Sequence, residues 1–308
     1  MNIQRAVVTG GAGFIGSHIV DALHAQGAEV LVIDNLVSGK ASNLPAGVRL
    51  ETVDVIEPQI AAILKNFQPE AVFHLAAQMD VRRSVEDPLF DNRVNVFGSV
   101  NVLRSALDAG AQRFVFSSTG GAMYGEVDEI PTPETVPPQP VAPYGISKLC
   151  AERYIHYFHA NGLPGAVCRF GNVYGPRQDP HGEAGVVAIF GSRLLNGEPC
   201  TVFGDGSQVR DYVHVSDVVR ACLAAADAPG GTFNIGTGVG TDVNRLYNIL
   251  AAAAGVDARP VYAEARKGEL QTSILNPALA AQKLGWKPSV TVEQGLTAYI
   301  EYLRGDQR

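Results

Sequence analysis

Apolar and β-branched residues fall in short runs through the first two-thirds of the chain, at residues 5–9, 30–33, 49–53, 71–75, 113–117 and 166–169, with helical spacing between them. Six strands separated by helices predict an α/β fold on a doubly wound parallel sheet, each crossover right-handed. From Ile130 to Pro143 the chain carries six prolines, which can neither continue a helix nor sit in a central strand. This stretch must be loop, and it delivers Pro143 and Tyr144 to a helix start, where the fixed φ of proline is tolerated. Beyond residue 169 the pattern loosens into turns at Gly175-Pro176, Gly204-Asp205-Gly206 and Pro229-Gly230-Gly231, which predicts a smaller second α/β lobe. Residues 213–215 and 232–235 read as strands that rejoin the first unit. The expected division is therefore 1–170 plus about 213–238 for one domain, and about 171–212 plus 239–308 for the other, with two helical stretches after Asp242. No internal repeat is visible.

A chain of 308 residues is long enough for this two-lobed plan. Its net charge of −7 gives no basic field for nucleic acid or an anionic membrane, so an anionic ligand must be met by local arginines. Neither a leader-like N-terminus nor a run of about 18 apolar residues is present, which leads us to expect a cytoplasmic protein. Cys150, Cys168, Cys200 and Cys222 show no Cys-x-x-Cys spacing and are expected to be reduced and structural. His156 and His159 are three apart, but no cysteine or carboxylate cluster accompanies them, so no metal is expected.

Gly10-Gly11-Ala12-Gly13-Phe14-Ile15-Gly16 follows the first strand and opens the helical pattern beginning at Ser17. In that context backbone N–H groups at the helix start can bind a pyrophosphate, with glycine permitting close approach. Asp34 stands 18 residues past Gly16, at the end of the second strand. A carboxylate there accepts both ribose hydroxyls and repels a 2′-phosphate, which argues for NAD over NADP. Asp54, ending the third strand, is placed to meet the adenine amino group or, alternatively, to cap the next helix. Leu75-Ala76-Ala77-Gln78 closes the fourth strand with small residues that let a ligand approach.

The fifth strand ends in Ser117-Ser118-Thr119-Gly120-Gly121, which puts hydroxyls at the carboxyl edge of the sheet. Tyr144 and Lys148 are four apart on one helix face. A lysine charge ~5 Å from the phenol, at an effective dielectric of ~20, would lower its pKa by about two units and make Tyr144 a base.

These features resemble the extended short-chain dehydrogenase/reductase family and, within it, the nucleotide-sugar epimerases of the UDP-glucose 4-epimerase kind. The resemblance runs almost end to end. It rests on Thr9 to Ser17, Asp34-Asn35, His74 to Ala77, Tyr124-Gly125, Tyr144 to Lys148, Asn172-Val173-Tyr174-Gly175-Pro176-Arg177 and Arg210-Asp211-Tyr212-Val213-His214-Val215, of which the last two groups are the most specific.

The resemblance implies a Rossmann NAD domain with cofactor contacts from Gly10, Gly13, Phe14, Ile15, Gly16, Asp34, Asn35, Asp54, Val55, Leu75, Ala76, Ala77, Gln78, Asn95, Ser117, Tyr144 and Lys148. It implies that Tyr144 takes the proton of the sugar 4-hydroxyl and that Lys148 lowers its pKa. The third catalytic hydroxyl transfers less cleanly. Its usual position, four before the tyrosine of Tyr124-Gly125, is Gly120, so Thr119 is chosen, with Ser118 in reserve. The 4,6-dehydratases carry Asp-Glu where Gly120-Gly121 stand, which disfavours dehydration.

On the substrate side Asn172, Arg210 and Arg266 would hold the diphosphate, Glu269 the uridine ribose, and Val186 and Phe203 the base. Ser273 falls at a gate position, where a small side chain leaves room for an N-acetyl group. The expected reaction is NAD-dependent 4-epimerisation of a UDP-hexose, N-acetylated or not, through a 4-keto intermediate. The alternatives are a lyase, such as a UDP-glucuronate decarboxylase, and a non-catalytic NAD sensor. Helical patterns at 96–109 and 147–160 resemble the four-helix dimer interface of the family, implying a homodimer.

Overall fold

The computed structural model describes residues 3–180, 185–266 and 268–306. Seven parallel strands form the central sheet: β1 (Arg5–Thr9), β2 (Glu29–Ile33), β3 (Arg49–Glu51), β4 (Ala71–His74), β5 (Arg113–Thr119), β6 (Gly165–Phe170) and β10 (Gly231–Ile235). Their order is β10-β6-β5-β4-β1-β2-β3. The chain winds outward from β1 in one direction and from β4 in the other, so the carboxyl ends of β1 and β4 part and leave a crevice.

Because successive strand residues face opposite sides, each central strand feeds two cores. Val8, Val32, Phe73, Val115 and Cys168 face one side, under the helices Phe14–Ala25 and Val215–Asp227. Val7, Leu31, Val72, Phe114 and Val167 face the other, under the helices Gln59–Phe67, Ser99–Asp108 and Pro143–Ala160. Phe73, Leu31 and Phe114 are almost wholly buried, and each such side chain contributes about 1.5–3 kcal/mol through lost apolar surface.

The remaining strands are β7 (Asn172–Tyr174), β8 (Thr201–Phe203), β9 (Val209–His214), β11 (Gly240–Asp242), β12 (Val261–Ala263) and β13 (Thr272–Ser273). β9 pairs with β7, β11 and β13, while β8 pairs with β12. The helices Val186–Leu195, Val243–Ala254 and Val292–Asp306 close a third core around Tyr174, Phe190, Val202, Leu246 and Ile300.

Two expectations are corrected. Of the two late runs expected to rejoin the first unit, β10 pairs in the large sheet beside β6, whereas β9, which holds Val213 and His214, pairs in the smaller sheet. It is occupied on both edges there, while its Val213 and the helix that follows it pack into the first core. Among the described residues the tail after Asp242 holds three helices rather than two. The additional one, Ala278–Leu284, packs with Trp286 against the first core. The proline-rich stretch is loop, tied to the smaller sheet by Thr132 N–H donating to Ile274 O and Asn276 N–H to Thr132 O. No helix of the described residues is long and apolar enough to cross a membrane.

Candidate active site

At the crevice between β1 and β4 lies a cleft of about 420 Å³. Gly10 turns the chain there with φ +68°, and a Cβ on it would stand 2.6 Å from Ala76 N, so the loops after β1 and β4 touch backbone to backbone. A Cβ on Gly16 would run into the Gly10 carbonyl oxygen. Only glycine fits both places. The helix Phe14–Ala25 starts at Gly13 in extended backbone with no side-chain cap. Its first amides are thus left for an anion, reinforced by the positive end of the helix dipole.

Asp34 is 7% exposed. Its Oδ2 accepts Ala12 N–H at 3.0 Å and its Oδ1 accepts Leu36 N–H at 2.9 Å. Each oxygen retains lone pairs for ligand hydroxyls. Asn35 Nδ2 donates to Asp54 Oδ2 at 2.8 Å, while Asp54 Oδ1 accepts Ile56 N–H at 3.2 Å, so Asp54 holds the following turn and lines the cleft at once. Val55, Leu75, Ala76, Ala77, Phe14, Ile15 and Ser117 line it too. Gln78 and Asn95 do not. They bond each other instead, Gln78 N–H to Asn95 Oδ1 at 2.9 Å and Asn95 Nδ2 to Gln78 O at 2.8 Å, joining the loop after β4 to a π-helical turn at Arg93–Gly98.

The helix Pro143–Ala160 brings its first turn to the same cleft. Tyr144 N–H donates to Ser84 Oγ at 3.1 Å. A Cβ on Gly145 would collide with Ala122 O, and its absence lets the helix start lie against the loop after β5, so Tyr144 and Thr119 line one cavity. Lys148 Nζ donates to Ser117 O at 2.9 Å and stands 4.8 Å from the Phe116 ring centre and 6.0 Å from that of Tyr144. Burial lowers its pKa to about 8, against the opposing pull of Asp91 and Glu152.

The Tyr144 phenol departs from expectation. Burial, seconded by the Asp91 carboxylate, pushes it above its ordinary value. The spacing argument treated Lys148 as a full charge in a moderately polar medium, but withdrawal from water opposes the phenolate more strongly than that charge favours it.

The two candidate hydroxyls differ in direction. Thr119 Oγ1 accepts Ala122 N–H at 3.2 Å and keeps its proton free to donate. Ser118 Oγ donates to Glu152 Oε1 at 2.6 Å, inside a buried bidentate pair in which Arg169 donates from Nε and Nη2 to Glu152. Thr119 is thus the hydroxyl available to a ligand.

Asn172 borders the cleft beside Gly171 and Gly185. The other expected substrate residues lie outside that lining, on the smaller sheet and its loops. Arg210 pairs with Glu269 at 3.3 Å, and Ser273 sits in register with Arg210 across β9 and β13. Arg266 lies 4.0 Å from the centre of the Phe203 ring, and Val186 starts the helix at residue 186. His156 and His159 are engaged separately, with Thr232 Oγ1 and Gly165 N–H. Sequence reasoning missed Asp91, Ser147 and Glu152, all buried behind the cleft. Ser147 and Glu152, polar residues on the inner face of the Tyr144 helix, were the visible signal.

Residues 6–236 match the model of the NAD dependent epimerase/dehydratase family. The chain belongs to that family. It is 43% identical to a UDP-glucose 4-epimerase of Mycolicibacterium smegmatis, over 98% of this chain and 99% of that one. The crystal structure of a UDP-glucose 4-epimerase from Thermotoga maritima with UDP-glucose superposes with a TM-score of 0.97 at 48% identity, covering 99% of this chain and 100% of that one. A Thermus thermophilus UDP-glucose 4-epimerase in complex with NAD gives a TM-score of 0.92 at 44% identity, covering 98% and 99%. The protein is a UDP-glucose 4-epimerase-like enzyme with NAD as its cofactor, and the glycine cradle, uncapped helix start and anchored Asp34 fit that cofactor.

Proposed function

We propose that the protein interconverts the 4-epimers of a UDP-hexose through a 4-keto sugar. The observation that carries this reading is that Tyr144, Lys148 and Thr119 line the same cleft as the glycine loop and Asp34. NAD, when bound, supplies the acceptor and later the donor of the hydride at C4. Thr119 donates a hydrogen bond to the 4-oxygen, and Tyr144, as the phenolate that Lys148 supports, takes the 4-hydroxyl proton as the hydride departs and becomes the neutral phenol. After the sugar has presented its other face, Tyr144 returns the proton. Net redox change is zero. Asn172, Arg210 and Arg266 anchor the diphosphate, for which the arginine fork is suited, while Glu269, Val186 and Phe203 receive the nucleoside. The small Ser273 leaves room for an N-acetyl group, so UDP-GlcNAc is a substrate alongside UDP-glucose.

Leu89, Phe97 and Tyr157 are 82%, 55% and 60% exposed on or beside the helices at 88–108 and 143–160. These helices form the homodimer face, and light scattering should give a dimer at micromolar concentration, a monomer overturning the assignment.

NMR of products from UDP-glucose, UDP-GlcNAc and UDP-glucuronate tests the reaction. A 4-epimer supports it; CO₂ or a 4-keto-6-deoxy sugar replaces it with a lyase, and no turnover leaves a cofactor-binding protein. Tyr144→Phe should lower kcat by roughly 10²–10⁴-fold with NAD retained, and near-normal turnover would remove Tyr144 as the base. Ser273→Tyr should abolish turnover of the N-acetylated substrate alone.

A further inference from the structure

Asp91 is a carboxylate with no exposed surface, at the end of the short helix Pro88–Asn92. Three neutral donors converge on it. Ser147 Oγ donates to Oδ2 at 2.5 Å, and Gln78 Nε2 and Asn95 Nδ2 donate to Oδ1 at 2.9 and 3.0 Å. Those three side chains belong to three separate parts of the site: the turn of helix between Tyr144 and Lys148, the loop that follows β4 along the cofactor cleft, and the π-helical turn at Arg93–Gly98. Its side-chain hydrogen bonds come from neutral groups, with the Lys148 charge acting on it without a direct bond; a buried ion so held costs more than a neutral amide in the same place, and an asparagine would fill the same space. The surplus charge therefore calls for a role that shape does not supply.

We propose that Asp91 is a positioning residue for the Tyr144/Lys148 pair, registering their helix against the cofactor loop and supplying a fixed negative charge that biases the protonation equilibria of both groups. The inference rests on the proton-transfer reading of Tyr144 given above. Asp91 favours the ammonium of Lys148 and disfavours the phenolate of Tyr144. The other charged groups around the pair are Glu152 on the same helix, itself paired with Arg169 of β6, and His74 of β4, which burial holds neutral with its pKa lowered to about 3. Neither Glu152 nor His74 contacts the cofactor loop through Ser147, Gln78 and Asn95 as Asp91 does.

The test is the pH profile of kcat for the NAD-loaded wild type and for Asp91→Asn, with melting temperature and bound NAD measured on each. The amide can accept from Gln78 and Asn95 and donate to Ser147 Oγ, so the network can be remade without the charge. Removing the charge makes Tyr144 easier to ionise and Lys148 easier to deprotonate. Both limbs of the profile should then move to lower pH, by roughly half a unit or more. Limbs that stay in place while kcat falls would reduce Asp91 to a structural residue and overturn the proposal. Ser147→Ala keeps the charge and removes one tether. It should lower kcat several-fold with unmoved limbs, and a wild-type kcat, or limbs shifted as in Asp91→Asn, would also overturn it. Should Asp91→Asn fail to fold, this second variant still decides. Absence of turnover in the wild type would instead sink the epimerase reading, a distinguishable failure.

Discussion

Replacing Lys148 by methionine should stabilise the protein at neutral pH while destroying its activity. The ammonium is almost fully buried, at 3% exposure, and its pKa falls from 10.5 to about 8. A shift of about 2.5 units, at ~1.36 kcal/mol per unit, means that holding this proton in the folded state costs about 3 kcal/mol. The folded chain binds the proton more weakly than the unfolded chain. The penalty is therefore complete below about pH 8 and fades as pH rises toward the unfolded value of 10.5. Methionine has similar length and no charge to desolvate. Against the gain stand the lost hydrogen bond to Ser117 O and the lost contact with the Phe116 ring, together about 1–2 kcal/mol. The balance is a gain of about 1–2 kcal/mol, or roughly 2–5 °C in Tm for a chain of this size.

The assay is a pair of thermal melts on cofactor-stripped wild type and Lys148→Met at pH 7 and again near pH 10. At pH 7 the variant should melt higher, and near pH 10 the advantage should be gone. A variant that melts at or below wild type at pH 7, or a difference that does not change with pH, would refute the claim that burial of this charge opposes folding.

Two further outcomes follow from the same geometry. Gly16→Ala, whose methyl would collide with the Gly10 carbonyl, should displace the loop and weaken NAD binding by 100-fold or more, as measured by calorimetry, with a smaller loss of stability. Glu152→Gln leaves the buried Arg169 guanidinium without its counter-charge and should destabilise the fold by ~3–5 kcal/mol in urea; a loss under 1 kcal/mol would mean that water or another group replaces the carboxylate.

The sheet was legible because parallel strands buried on both faces write themselves as short apolar runs, and all seven, β10 included, were placed within two residues at each end. β9 was read as a strand of the first unit, and its Val213 packs in that core, but a run such as Tyr212-Val213-His214-Val215 states that a strand is buried, not which sheet it pairs in. That choice is made by register with β7, β11 and β13, all long-range pairings. The glycine loop, Asp34, Tyr144, Lys148 and Thr119, picked out in the sequence as candidates for one site, line a single cleft. Gln78 and Asn95 were expected at the cofactor, yet Asn95 turns its side chain to the Gln78 backbone and Asp91, and Gln78 turns its own to Asp80 and Asp91. Sequence spacing locates a loop beside a ligand but does not reveal which way an amide turns.

The inner face of the helix Pro143–Ala160 explains why the direction of the Tyr144 shift was misjudged. A helix packed against a sheet ordinarily buries aliphatic side chains, and this one does so only from Ala151 and Ile155 onward. In its first turns it buries Ser147, Lys148 and, next to Ala151, Glu152. Those charges are compensated from outside the helix, by Asp91 and by Arg169. The desolvation that weakens Tyr144 as a base is thus the same desolvation that gives a nearby charge its leverage, because an ion pair interaction that is small in water grows as the dielectric falls. In a wetter site Tyr144 would sit near its ordinary pKa and no neighbour could move it far. In this one the phenol starts higher, but each charge set beside it, Lys148 included, acts at greater strength.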